Sequence, residues 1–204
     1  MISRERFDDV KAKWGAYSSW AVWKRIGPGD APKKDMGDLS ILDPDKNPAL
    51  LESLNPNIVL LGLNAASRAI ASESWVNFHD SRSVANDFKI RFALKETPYW
   101  GAYMTDVLVG LHETDSAKVS SWIKHNSLGV DEQVARLESE LVDIGAVDPL
   151  VVAFGGLAHD VLRVRLGKKY RIVKVTHYAH QVGKEEYRDE VLRVLDGATK
   201  EISA

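Results

Sequence analysis

Four short apolar runs stand out along the chain, each bounded by residues that break regular structure. The first is Ile58-Val59-Leu60-Leu61-Gly62-Leu63, between Asn55-Pro56-Asn57 and Asn64. Short, continuously apolar and β-branched, it predicts a strand buried on both faces. Residues 102–109, 150–154 and 171–175 read the same way. Between them the apolar spacing changes from continuous to helical. Val130, Val134, Leu137, Leu141 and Ile144 recur with a period near 3.6, which predicts a helix over 130–145. Similar patterns predict helices over Arg4–Trp14, 84–95, 157–166 and 184–198.

Strands alternating with helices imply right-handed crossovers and a parallel sheet covered on both sides. The expected fold is a three-layer α/β/α sandwich with a four-stranded parallel sheet. Ligands of such sheets bind beyond the carboxyl ends of the strands. The residues there are Asn64 to Arg68, Thr105-Asp106, Gly155-Gly156 and the loop Thr176-His177-Tyr178-Ala179-His180-Gln181. Asn64 follows a strand but opens no P-loop, because the second glycine and the Gly-Lys-Ser/Thr ending are missing. Gly155-Gly156 is either a tight turn or a helix start that cradles phosphate. Two histidines, a tyrosine and Gln181 in one loop form a polar concentration suited to a small ligand. Two imidazoles fall short of a metal-ligand set, even with His79 and Asp106 as further candidates. Trp75 and Phe78 follow the first strand and suit either core packing or stacking on a flat base.

Residues 1–56 have another texture. Trp14, Trp20 and Trp23 crowd one helix and its exit, and five of the seven prolines fall within 27–56. This segment reads as a Trp-rich N-terminal helix with a Pro/Gly-rich connector, leading into a domain over 57–204. The 204 residues carry 27 basic and 29 acidic side chains, an ordinary globular balance. The absence of cysteine excludes disulfides, thiolate zinc sites and iron–sulfur clusters. No apolar run is long enough to span a membrane, and no secretion signal is evident, so a cytoplasmic protein is expected. Charge is polarised along the chain. Residues 161–175 hold six cations, among them Arg163, Lys168 and Lys169, and no acid, whereas 130–149 hold six acids and one arginine. Such a basic run suits either a solvated face or contact with phosphates.

Several of these motifs occur in the order found in a known family. Gly62-Leu63-Asn64 closes the first strand. Phe78-His79 and Asn86-Asp87-Phe88 follow. Phe154-Gly155-Gly156-Leu157-Ala158 joins the third strand to a helix, and a His177-led loop precedes the last helix. Over roughly residues 57–198 the chain resembles the uracil-DNA glycosylase superfamily, with its mismatch-specific branch the nearest in texture. The resemblance implies hydrolysis of the N-glycosidic bond of an aberrant base flipped out of single- or double-stranded DNA, without metal or cofactor. It implies that Asn64 orients the attacking water and that His177 donates to the departing base. It places Gly62, Leu63, Ser67, Phe78, Asp106, Tyr178, His180 and Gln181 around that base, with Phe78 stacking on it and residues 178–183 wedging the duplex. It sets Arg68, Gly155, Gly156, Arg163, Lys168 and Lys169 against the DNA backbone. The sequence also departs from the pattern. Ala65-Ala66 stand where proline with glycine or tyrosine is usual. Tyr178-Ala179-His180 replace a proline- and serine-rich loop. Asp106 takes a position where many members have a base-reading asparagine, and an ionised carboxylate only accepts hydrogen bonds. Those departures suit a rival class, a binding module of the same fold that holds nucleic acid or nucleotide without cleaving it. A second rival is an enzyme acting on a small nucleoside or nucleotide.

Overall fold

A computed structural model describes residues 1–65 and 73–200. In chain order the elements are α1 (Arg4–Trp14), β1 (Ser19–Trp20), a 3-10 turn (Leu39–Leu42), α2 (Leu50–Ser53), β2 (Asn55–Asn64), α3 (Phe88–Leu94), β3 (Ala102–Leu108), α4 (Ser116–His125), α5 (Ser127–Asp143), β4 (Leu150–Phe154), α6 (Gly156–Leu166), β5 (Arg171–Val175) and α7 (Lys184–Lys200).

The strands form one sheet in the order β1-β3-β2-β4-β5. β3, β2, β4 and β5 run parallel, as the alternating pattern requires. The sheet has five strands where four were expected. The fifth is β1, paired antiparallel to the edge of β3 through Ser19–Met104 and Trp20–Tyr103. Two residues carry no readable alternation, and only tertiary pairing makes them a strand.

Each apolar run serves two layers at once, because successive side chains leave a strand on opposite faces. Val59, Leu61, Tyr103, Val107, Val151 and Ala153 face α1, α5 and α6. Ile58, Leu60, Met104, Leu150, Val152 and Phe154 face α3 and α7. The fold is thus a three-layer α/β/α sandwich. The N-terminal tryptophans belong to both cores. Trp20, fully buried, meets Tyr103 edge-on at 4.8 Å between ring centroids. Trp23 packs into the other layer against Trp100 and His79.

Helix ends follow local chemistry. Ser3 caps α1 by accepting the Arg6 N–H, and Asp115 caps α4 by accepting that of Ala117. α3 begins four residues later than its apolar spacing suggests. Residues 84–87 form turns instead, and Asp87 accepts the Asp80 N–H with its side chain.

Candidate functional site

Beyond the carboxyl ends of β2 and β3 lies a cleft of about 210 Å³. Its walls come from three places: Asn64, Ala65 and Asp106 at the strand ends, Asn77 and residues 80–87 from the long β2–α3 connection, and His177, Tyr178 and Ala179 after β5. Larger hollows exist against α1 and α5 (about 470 Å³) and against the outer side of α3 (about 400 Å³). Neither gathers the strand-end residues.

Asn64 is held firmly. Its Nδ2 donates to the carbonyls of Leu111 (2.9 Å) and Glu113 (2.8 Å). Both amide hydrogens are therefore used, and the amide oxygen is what Asn64 offers the cleft. Asp106 is 4% exposed and sits in register with Gly62 on β2. A Cβ at position 62 would overlap Asp106 Oδ1 and lie 3.3 Å from its Cγ, so glycine there makes the carboxylate's seat. Asn77 Nδ2 donates to Asp106 Oδ2 (3.0 Å) and to the Tyr17 carbonyl (2.7 Å), while its Oδ1 accepts the Phe78 N–H. One buried amide thus joins the N-terminal segment to the cleft floor.

His177 closes the opposite side. Its Nδ1 accepts the Ala179 N–H at 3.1 Å, so the neutral ring carries its proton on Nε2. Burial, followed by the charge of His180, holds its pKa below the ordinary imidazole value. Its ring stacks on Tyr178 with centroids 4.4 Å apart. Gly155 adopts a positive φ of 88° at the start of α6, and a Cβ there would stand 3.5 Å from that of His177. A side chain would fit beside the His177 loop, so it is the backbone conformation of the turn that calls for glycine.

Not every residue expected at the site is there. Phe78 is 2% exposed and lies beneath the cleft, where its ring meets Tyr178 edge-on at 6.3 Å. Tyr178 is the aromatic that lines the cavity. Of the two loop histidines, His177 lines the cleft. His180 is exposed, and its carbonyl accepts Lys89 Nζ at 2.8 Å. Gln181 is also exposed and lies outside the lining, and Leu63 packs on the α1/α5 core. Gly155 and Gly156 start α6 at the correct sheet edge. Arg163, Lys168 and Lys169 do not share it. α6 runs antiparallel to the strands, so its far end is carried roughly 16 Å away at 1.5 Å per residue. Lys169 pairs there with Glu138. Ser67 and Arg68 lie outside the described residues.

Sequence reasoning missed Asn77, Asp80 and Arg82. Arg82 clamps the Asp80 carboxylate at 2.7 Å on the cleft rim. The available signal was the density of short polar residues, Asn77, Asp80, Asn86 and Asp87, in one connection. Beneath the cleft, and on the other side of the sheet, Arg136 donates to the main-chain carbonyls of Asp106 (2.7 Å) and Val107 (3.2 Å). It also pairs with fully buried Glu140, which accepts the Tyr103 hydroxyl at 2.5 Å. Burial raises the Glu140 pKa, while Arg136 opposes the shift.

Among the described residues, no group of three or more His, Asp or Glu side chains is placed to hold a metal ion. Among them also, no helix is long and apolar enough to cross a membrane. The fold and cleft define a class: an α/β/α protein with a polar cleft at the carboxyl edge of its parallel sheet. No family model matches the chain, and no match is found among curated proteins.

Proposed function

We propose that the protein hydrolyses the N-glycosidic bond of an aberrant base turned out of DNA into this cleft. One observation carries the reading. An acceptor amide (Asn64), a buried carboxylate (Asp106) and an imidazole with its proton on Nε2 (His177) line one cavity beside the Tyr178 ring. These are the groups such a reaction needs. The C1′–N bond breaks through an oxocarbenium-like sugar and the base departs with the bonding pair; water then adds its oxygen to C1′ and its released proton ends on the departed base, which leaves neutral. Asn64 Oδ1 accepts a hydrogen from the water and aims it. His177 Nε2–H donates to the oxygen on which the leaving base gathers charge. Tyr178 lines the cavity in which the flipped base would lie, its ring stacked on His177 and in edge contact with Phe78 and Phe154.

An observation also favours the non-catalytic alternative. The residue at the end of β2 is an amide, which cannot take a proton from water. One experiment separates the two. Oligonucleotides with a single aberrant base are incubated with the protein, abasic sites are cleaved with alkali, and binding is measured in parallel. The expected result is release by the wild type, lowered about 100-fold or more in His177→Ala and in Asn64→Ala. Binding without release, weakened by the same substitutions, would establish the binder. Release at the wild-type rate in both variants would remove the site assignment.

A further inference from the structure

We propose that a hollow at the sheet edge opposite the cleft binds a nucleoside 5′-monophosphate, with its phosphate among Arg25, Arg91 and Lys95 and its base beside Trp100. The inference stands apart from the glycosylase reading. α3 starts beside the cleft, after Asp87, and runs away from it to Leu94. Trp100 precedes β3, and Lys24 to Ile26 follow β1, which lies antiparallel to β3. These residues therefore gather at the amino edge of the parallel strands, around a space of about 280 Å³. That is the small end of ligand sites, suited to one phosphate and one ring system.

Charge points to an anion. The lining holds four cations, Lys24, Arg25, Arg91 and Lys95, against one acid, Glu96. Lys24 is already paired with Asp38 and Asp35. Arg25 and Lys95 are exposed, and among the described residues neither has a carboxylate within ion-pair distance. Arg91 is the decisive group. It is 4% exposed, and its Nη1 donates to the carbonyls of Lys34 (2.8 Å) and Lys24 (3.4 Å), its Nη2 to that of Pro32. Its Nε makes no hydrogen bond among the described residues. Buried arginines are ordinarily paired with acids. Arg91 meets only main-chain dipoles, and Asp35 acts on it from beyond contact. A phosphate in the hollow supplies the missing countercharge. The adjoining helix end does not oppose it, because the last carbonyls there, those of Phe92, Ala93 and Lys95, all accept from Arg188 Nη1.

The apolar lining suits the other half of the ligand. Ile26 and Trp100 are half-buried, and Trp100 is held by edge contact with Trp23 at 5.6 Å between centroids. Aromatic side chains beside cations fit a nucleobase beside its phosphate. Such a phosphate comes from a free nucleotide or from the phosphorylated end of a strand, and the same contacts serve both.

The test measures binding to the full chain by equilibrium dialysis, with AMP, adenosine and inorganic phosphate as probes. AMP is expected to bind about tenfold or more tightly than either fragment, and to weaken as salt rises from about 50 to about 200 mM. Arg25→Ala and Lys95→Ala, both at exposed positions, should each weaken AMP about fivefold, and Lys95→Glu about 30-fold or more. His177→Ala, at the strand-end cleft, is the control for location and should leave AMP affinity unchanged. A strand-end source shows as tighter binding of a 5′-phosphorylated oligonucleotide than of its unphosphorylated twin, lost in Lys95→Glu. Equal binding of the two assigns the site to the free nucleotide. No saturable AMP binding, wild-type affinity in all three surface variants, loss of affinity in His177→Ala, or phosphate bound as tightly as AMP overturns the inference.

Discussion

Replacing Arg136 by methionine tests how the sheet beneath the cleft is held. Glu140 has no exposed surface, and its charge is balanced by Arg136 and by one hydrogen bond from Tyr103. Methionine keeps much of the volume but leaves a buried carboxylate with the tyrosine alone. Breaking a buried pair in this way costs about 3–5 kcal/mol. The same change removes the donor from the Asp106 and Val107 carbonyls. With a typical stability of about 5–15 kcal/mol, the variant should still fold. The double variant Arg136→Met, Glu140→Leu removes the stranded charge and leaves the two carbonyls and the Tyr103 hydroxyl without these partners, about 1–3 kcal/mol for each group left unsatisfied. It should therefore be more stable than the single variant. The pH dependence has a fixed sign. Burial raises the Glu140 pKa above its unfolded value, so the penalty is full above the folded pKa and is relieved as pH falls through it. Loss of Arg136 removes the group that opposes this shift, so the single variant's deficit should shrink on acidification. Urea unfolding followed by tryptophan fluorescence, at about pH 7.5 and about pH 5, reads all three quantities. A single-variant cost below about 1 kcal/mol, a double variant no more stable than the single, or a deficit equal at both pH values would refute the reasoning.

Two further outcomes follow from the His177 loop. Because burial and then His180 hold the His177 pKa down, base release should stay level on acidification through the ordinary imidazole value of about 6.5. It should fall only when Nδ1 takes a proton and loses the Ala179 N–H. A limb centred at or above that value, or one persisting in His177→Gln, would show that another group titrates. Gly155→Ala forces a side chain onto a φ of 88° with an extended ψ, a region kept almost entirely to glycine, costing about 1–3 kcal/mol. Thermal unfolding should fall by roughly 2–12 °C, and an unchanged midpoint would count against the strain.

The sheet was legible because its strands are apolar on both faces and sharply bounded. β4 and β5 occupy the very segments their composition marks. β1 was not legible, since two residues acquire strand geometry only by pairing with β3. α4 was not foreseen either, because its one buried apolar side chain, Val119, leaves little periodicity to read. At the site, the rule that ligands gather at strand ends reached Asn64, Asp106 and His177. It could not reach Asn77, whose position depends on positive φ angles at Trp75 and Phe78 and on a carbonyl sixty residues earlier. The basic run misled for a topological reason. Residues adjacent in sequence are carried by α6 from one sheet edge to the other, so Gly155 and Lys169 cannot serve one surface.

The change of texture near residue 57 invites the view that the first segment is an accessory. Its contacts make it a partner in inheritance instead. Trp20 completes the packing of Tyr103, β1 covers an otherwise open sheet edge that would template self-association, and the Tyr17 carbonyl anchors the amide beneath Asp106. A recombination point placed at the compositional boundary would separate each of these pairs. Splicing residues 1–56 from a divergent chain would change the packing around Tyr103 and the backbone that supports Asn77 beneath the cleft. The segment and the sheet thus pack as one unit, and a change of ring size at Tyr103 calls for an answering change at Trp20, some eighty positions upstream.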